Sequence, residues 1–173
     1  MSDSFIDRMI QSAVEKVKNR ESTTIDICKL SLGALPVGIF TCENTKRLDF
    51  SSDNPIYPGN ENLSEEYWWE VSFDNNRIAR INPEIGQLTK LEYMNGAQNH
   101  IAGLPDEIGH LKNLKVLNLR NNYISELPES FFELTNLEEL DLSYNALKKL
   151  PPSIKKLKNL KRLLLGCNQL KTL

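Results

Sequence analysis

Cysteine is scarce in this 173-residue chain: Cys28, Cys42 and Cys167 are odd in number, far apart and without a CxxC pair. That excludes a disulfide framework read from spacing and points to reduced thiols in a cytoplasmic compartment. No apolar run is long enough to cross a bilayer, and the opening residues lack a basic stretch leading into an unbroken apolar one, so neither a membrane span nor a secretory signal is expected. An excess of one charge is missing too. The formal net charge of -2 predicts neither a nucleic-acid binder nor a membrane-surface protein. No phosphate loop GxxxxGK[ST], no HExxH, no GxSxG elbow and no Cys–His cluster occurs, so no catalytic residue, metal or cofactor is expected. The two histidines, His100 and His110, have no cysteine within reach of the pattern described next. A lone Cys28 without an activating neighbour reads as inert.

What is present is a beat. Asn76, Asn99, Asn122, Asn145 and Asn168 recur every 23 residues. Ahead of each stands a pair two residues apart, apolar in all but one place: Val71/Phe73, Met94/Gly96, Leu117/Leu119, Leu140/Leu142 and Leu163/Leu165. The same spacing runs back to Leu48/Phe50, with Asp53 in the Asn position, and to Ile25/Ile27, with Leu30 there. Seven turns fit one register from Ser22 to Leu173 without insertion or deletion. Side chains alternate along a strand, so each pair points one way, and successive turns can shelter one another's apolar residues as stacked parallel strands. An Asn at the strand exit offers donors and an acceptor to backbone groups buried between turns. Pro in the recurring Leu-Pro step (Leu35-Pro36, Leu104-Pro105, Leu127-Pro128, Leu150-Pro151) then ends pairing. Ile108/Leu111 and Phe131/Leu134 have the three-residue spacing of a helical or 3₁₀ turn on the outer side.

The stretch Leu111, Leu114, Leu117, Leu119, Asn122, Ile124, Leu127, Pro128 spells LxxLxxLxLxxNxIxxLP and resembles the leucine-rich-repeat family. Within it, the likeness is to the 23-residue cytoplasmic type of Ras-suppressor and Scribble-like scaffolds, plant intracellular Ras-group proteins and bacterial repeat proteins. The resemblance implies an α/β solenoid: a curved right-handed superhelix with a parallel concave sheet and a helical, 3₁₀ or irregular convex side. Residues 1–21 are expected to form an N-terminal capping helix, because Phe5, Ile6, Met9, Ile10, Ala13, Val14 and Val17 make one stripe and Ser4 with Asp7 can cap it. Residues 22–173 are expected to hold seven repeats, the last incomplete.

Two irregularities stand out. Residues 54–69 keep the count but lose most leucines, which predicts an irregular crossing into the third turn, with Leu63 or Tyr67 packing, Trp68 in the core and Trp69 outward. At the other end Leu160, Leu163, Leu165 and Leu170 await a following turn. Either the natural chain continues or another molecule covers them, a homodimer through this end being one expectation. From Leu142 onward there are eight Lys or Arg and no acid, leaving 13 basic against 23 acidic residues elsewhere, +8 against -10. A solvated rim that discourages strand-edge pairing explains this better than a docking patch.

Residues flanking the apolar pairs face the concave side, a surface on the order of 30 Å long over seven strands. Such a trough suits a protein segment rather than a metabolite. Aromatic and Arg anchors lead at interfaces, so the expected partner-binding residues are Trp69, Tyr93, Arg120, Tyr144 and Arg47, with Asp49, Asp74, Asn95 and Asp141 giving polarity and register. Cross-strand pairs such as Arg47–Glu70 or Glu139–Arg162 compete with that role. The expected function is a protein-binding module, a scaffold or regulator without catalysis. The alternatives are the recognition part of a larger signalling or effector enzyme continuing past Leu173, and a structural homo-oligomer.

Overall fold

The computed structural model describes residues 3–28, 30–52 and 76–171. The apolar stripe near the N-terminus forms one helix, α1 (Asp3–Lys18). It lays Val14 and Val17 into the core and rests Ile6 and Ile10 against it, while Phe5 and Met9 stay exposed. The helix packs on the first strand and the first 3₁₀ turn, so it caps the first turn as expected. It starts at Asp3, which puts Ser4 inside the helix rather than at its N-cap.

Six three-residue strands follow: β1 (Thr24–Asp26), β2 (Arg47–Asp49), β3 (Tyr93–Asn95), β4 (Val116–Asn118), β5 (Glu139–Asp141) and β6 (Arg162–Leu164). All neighbours pair in parallel, in chain order. Between strands the chain crosses the outer side through 3₁₀ turns at Val37–Thr41, Pro83–Gln87, Asp106–His110, Glu129–Glu133 and Pro152–Lys156. Pro36, Pro105, Pro128 and Pro151 stand just before four of these with φ of -65°, -72°, -65° and -69° and extended ψ. Their fixed φ suits the end of strand pairing. The apolar pairs Ile25/Ile27, Leu48/Phe50, Leu117/Leu119 and Leu140/Leu142 are fully buried between turns.

The turn following β2 departs from the sequence register. The count places a Val71/Phe73 strand between Leu48/Phe50 and Met94/Gly96, yet β2 pairs directly with β3, Arg47 opposite Tyr93 and Asp49 opposite Asn95. Asn76 shows why the stack closes there. Asn122, Asn145 and Asn168 each donate to a carbonyl three residues back, in their own turn, and to one 26 residues back, in the turn before. Asn76 instead donates to Phe50 C=O at 3.0 Å and Ile27 C=O at 2.9 Å, and accepts from Leu30 and Leu32 N–H at 3.1 and 2.9 Å. It therefore fills the corner of the second turn, which the count assigned to Asp53. Only an amide can both accept from those N–H groups and donate to those carbonyls. Ser52 Oγ donates to Asn76 C=O at 3.0 Å, so the chain leaves and rejoins the turn at one point. The 23 residues between them, including Val71/Phe73, Trp68 and the expected irregular crossing, lie outside the described residues.

At the far end the pattern loosens. Leu163, Leu165 and Leu170 are only half-buried, and among the described residues no strand pairs with the outer edge of β6.

Candidate functional site: the concave face

The strands present three outward columns. The middle one reads Asp26, Asp49, Asn95, Asn118, Asp141 and Leu164. In its first five members a side-chain oxygen accepts the backbone N–H two residues on, at 2.9 to 3.2 Å: Cys28, Ser51, Ala97, Arg120 and Ser143. Short polar residues with an acceptor at that reach recur because each closes this local turn. The column is thus first a structural device.

Over the first three of the six observed turns, those of β1 to β3, the concave side is tightly satisfied. Asp49 is fully buried and accepts from Cys28 Sγ at 2.9 Å, Ser51 Oγ at 2.8 Å and Asn95 Nδ2 at 3.2 Å. Asn95 and Ser51 are buried with it. Burial, then the charges of Asp26 and Asp49, pushes the Cys28 thiol far above the ordinary cysteine range, so it is protonated and a poor nucleophile. Beside this cluster the Arg47 guanidinium lies 3.6 Å from the Tyr93 ring centroid, a cation–π stack across the β2–β3 seam. Burial raises the Tyr93 phenol, with Arg47 opposing it.

Turns four to six are open. Tyr93, Val116, Asn118, Glu139, Asp141, Arg162 and Leu164 line a hollow of about 260 Å³ floored by Leu117 and Leu140. Arg162 Nη1 approaches Glu139 Oε2 only to 4.0 Å, with both side chains more than half exposed. Next to the hollow, Arg120 lies 4.4 Å from the Tyr144 ring centroid and donates to Ser143 Oγ at 3.4 Å. Tyr144 is 47% exposed and takes a left-handed backbone with φ of 56°, as do Gln98, Asn121 and Cys167 at the same place in other turns.

One rim carries a charge lane. Glu92 meets Lys46 at 3.1 Å and Lys115 at 2.8 Å, and Glu138 meets Lys161 at 2.7 Å. The order Lys46, Glu92, Lys115, Glu138, Lys161 alternates strictly. Hydrogen bonds from Lys115 and Lys46, then their charge, hold the Glu92 carboxyl below its usual range. On the outer side Asn113, Asn136 and Asn159 fasten each turn to the carbonyl of Thr89, Lys112 and Thr135 at 2.7 to 2.8 Å. This second Asn column went unread, although its 23-residue recurrence is visible in the sequence.

Of the expected partner-binding residues, Arg120, Asp141 and Tyr144 sit together on the open part. Arg47 and Tyr93 stack on each other at the seam. Asp49 and Asn95 are buried in the Cys28 cluster and present no free surface. Trp69 and Asp74 lie outside the described residues. The hollow adds Val116, Glu139, Arg162 and Leu164, which strand alternation placed on this face without ranking them. Among the described residues no cluster of His, Cys, Asp or Glu has the geometry to hold a metal ion, and no helix is long and apolar enough to cross a membrane.

Known proteins match this architecture. A family model described as "Leucine-rich repeat region" matches residues 77–172, more than half of the chain. A leucine-rich-repeat protein of Leptospira interrogans aligns over 92% of this chain and 47% of its own, at 28% identity and a TM-score of 0.56. The ectodomain of the Arabidopsis thaliana receptor kinase GASSHO1/SCHENGEN3, solved with Casparian strip integrity factor 2, aligns over 79% of this chain and 14% of its own, at 31% identity and a TM-score of 0.60. The plant peptide hormone receptor RGFR1, solved with RGF2, aligns over 80% and 19%, at 28% identity and a TM-score of 0.61. The chain therefore spans less than half the length of these proteins. No curated protein matches the sequence.

Proposed function

The chain belongs to the leucine-rich-repeat family, and from that premise we propose that it is a non-catalytic interaction module that holds an extended protein segment on turns four to six of its concave face. The hollow from Tyr93 to Leu164 carries this reading. It is open, it mixes the apolar Val116 and Leu164 with Glu139, Asp141 and Arg162, and it adjoins the exposed Tyr144 and its Arg120 partner. Desolvated aromatic and Arg side chains beside apolar area give an interface its anchors. The polar groups fix register: Asp141 and Asn118 each spend one oxygen on the local turn, which leaves a second carboxylate oxygen and an amide group for a partner's main chain. Two solved relatives were captured in complex with Casparian strip integrity factor 2 and with RGF2, which supports a binding role. The sequence resemblance supports a scaffold or regulatory setting for this module, and the free Cys28, Cys42 and Cys167 support a reducing, cytoplasmic location.

Peptides selected against the chain from a displayed random library test the proposal. Glu139→Ala, Arg162→Ala and Tyr144→Ala are each expected to weaken a selected peptide tenfold or more, with unchanged melting temperature. Undiminished affinity in all three would remove the concave site.

A further inference from the structure

We propose that a basic hollow on the rim of the first turns binds a phosphoryl group carried on a side chain of a protein partner. Arg20, Ser22, Thr23, Asn44, Lys46 and Lys90 line this hollow of about 420 Å³, and among the described residues no Asp or Glu lines it. All three cations are exposed. Arg20 makes no ion pair among the described residues, and Lys46 shares the Glu92 carboxylate with Lys115, at 3.1 and 2.8 Å. Lys90 Nζ donates to Asn44 Oδ1 at 2.7 Å, a neutral acceptor that leaves its charge unbalanced.

Two breaks in the repeat meet at this hollow. The outer column that fastens later turns through Asn113, Asn136 and Asn159 has Lys90 one repeat earlier. A fastening amide is there given up for a cation, whose ammonium reaches Asn44, the column's member ahead of β2. The second break is in the charge lane. It alternates from Lys46 to Lys161, but the place one repeat before Lys46 is the neutral Thr23. Lys115 therefore stands between Glu92 and Glu138 in the lane, whereas Lys46 has an acid on one side only. Thr23 C=O accepts from Lys46 and Arg47 N–H at 2.8 and 3.1 Å, so the two places are neighbours across β1 and β2. An anion in the hollow takes the negative place that the lane lacks.

The donor set fits a phosphoryl group. That group is compact, nearly doubly charged at neutral pH and carries three acceptor oxygens, to which the Arg20 fork, two ammonium groups and the Thr23 hydroxyl can donate. Ser22 Oγ is already engaged with Thr24 N–H at 3.0 Å and C=O at 3.3 Å. The C-terminus of α1 lies just before Arg20, and its dipole opposes an anion. The N–H groups of Asn19, Arg20, Glu21 and Ser22 blunt it by occupying the Glu15, Val17 and Lys16 carbonyls at 2.8 to 3.2 Å. Among the described residues no apolar or aromatic side chain lines the hollow, so nothing grips the base or sugar of a nucleotide. Glu21 and Glu43 are exposed and adjoin Arg20 and Asn44 in sequence. They oppose a broad anionic bilayer but leave a single side chain room to enter.

Amide chemical-shift titrations at neutral pH and constant ionic strength test this, with inorganic phosphate, a short capped phosphoserine peptide and its unphosphorylated form as probes. Phosphate and the phosphopeptide are expected to give saturable shifts at Arg20 to Thr23, Asn44 to Lys46 and Lys90, and the plain peptide none. Lys90→Asn installs the residue that later turns carry, and Arg20→Asn suits the left-handed backbone there, φ 62°. Together they are expected to weaken the phosphopeptide about tenfold or more, with the spectrum elsewhere unchanged, whereas Lys148→Asn on the basic tail has no effect. Undiminished binding in the double variant, an equal loss in Lys148→Asn, or the same shifts with chloride would overturn the site. Binding of phosphate without the phosphopeptide, or of phosphatidylcholine vesicles carrying a phosphoinositide in place of the peptide, would overturn the protein-borne source.

Discussion

Phe50 and Gly96 face each other across the β2–β3 seam so closely that a methyl group on Gly96 would lie 2.5 Å from Phe50 Cε2 and 2.6 Å from Cζ. This is the one place where an apolar pair of the repeat ends in glycine, and the large ring opposite accounts for it. Gly96→Ala is expected to cost about 1–3 kcal/mol by overpacking, read from urea unfolding. Adding Phe50→Leu should recover at least half of the loss. A double variant as unstable as the single one would show that the ring is not what Gly96 accommodates.

The Asn ladder makes a sharper demand. Asn122 accepts from Ile101 N–H at 2.9 Å and donates to Gly96 and Leu119 C=O, both at 3.0 Å. Asn122→Asp keeps the acceptor and loses both donors beside buried carbonyls. A loss of about 2–4 kcal/mol is expected, with the midpoint of denaturation falling while the fold's circular dichroism at low urea stays the same. An unchanged midpoint would mean that the amide hydrogens are dispensable.

The charge lane predicts a pH dependence of definite sign. Lysine hydrogen bonds and charges lower the carboxyl pKa of Glu92 and Glu138 in this lane. A depressed folded-state pKa contributes stability above the unfolded value and loses it as pH falls through the folded value. These pairs are solvent-exposed, so the effect is small and screened by salt. Glu92→Gln should lower the urea midpoint slightly at pH 7, and the gap from wild type should close by pH 3 and in 1 M salt. A gap that widened on acidification would contradict the sign.

Thiol reactivity separates the three cysteines. Burial raises the Cys28 and Cys42 thiols, reinforced at Cys28 by two nearby carboxylates, whereas Cys167 is exposed. At pH 8 one thiol, Cys167, should react rapidly with a disulfide reagent and two slowly in the folded chain, and all three quickly in urea. Fast modification of Cys28 in the folded state would refute the buried Asp49 cluster.

Much of this fold was readable because the repeat's physics is local. The apolar pairs, the Asn corners and the Leu-Pro steps each state which way a side chain points and where pairing stops. The 23 residues after Ser52 misled the count because they equal one repeat, so the direct pairing of β2 with β3 leaves the count intact. Two signals mark the place: Asp53 lacks donors for the corner, and the lane from Lys46 to Lys161 alternates in sign only if the position of Trp69 is skipped. The site was legible in direction alone. Alternation put Asp49 and Asn95 on the inner face, but it could not tell that Asp49 accepts from both Asn95 and Cys28 and that the two are buried.

Hydrogen exchange with and without a selected peptide tests the central functional claim most directly. Binding on turns four to six predicts slowed exchange from Val116 to Arg120, Glu139 to Tyr144 and Arg162 to Gly166, with α1 and the outer 3₁₀ turns unchanged. Protection confined to the 3₁₀ turns or to α1, with the inner strands unaffected, would contradict it.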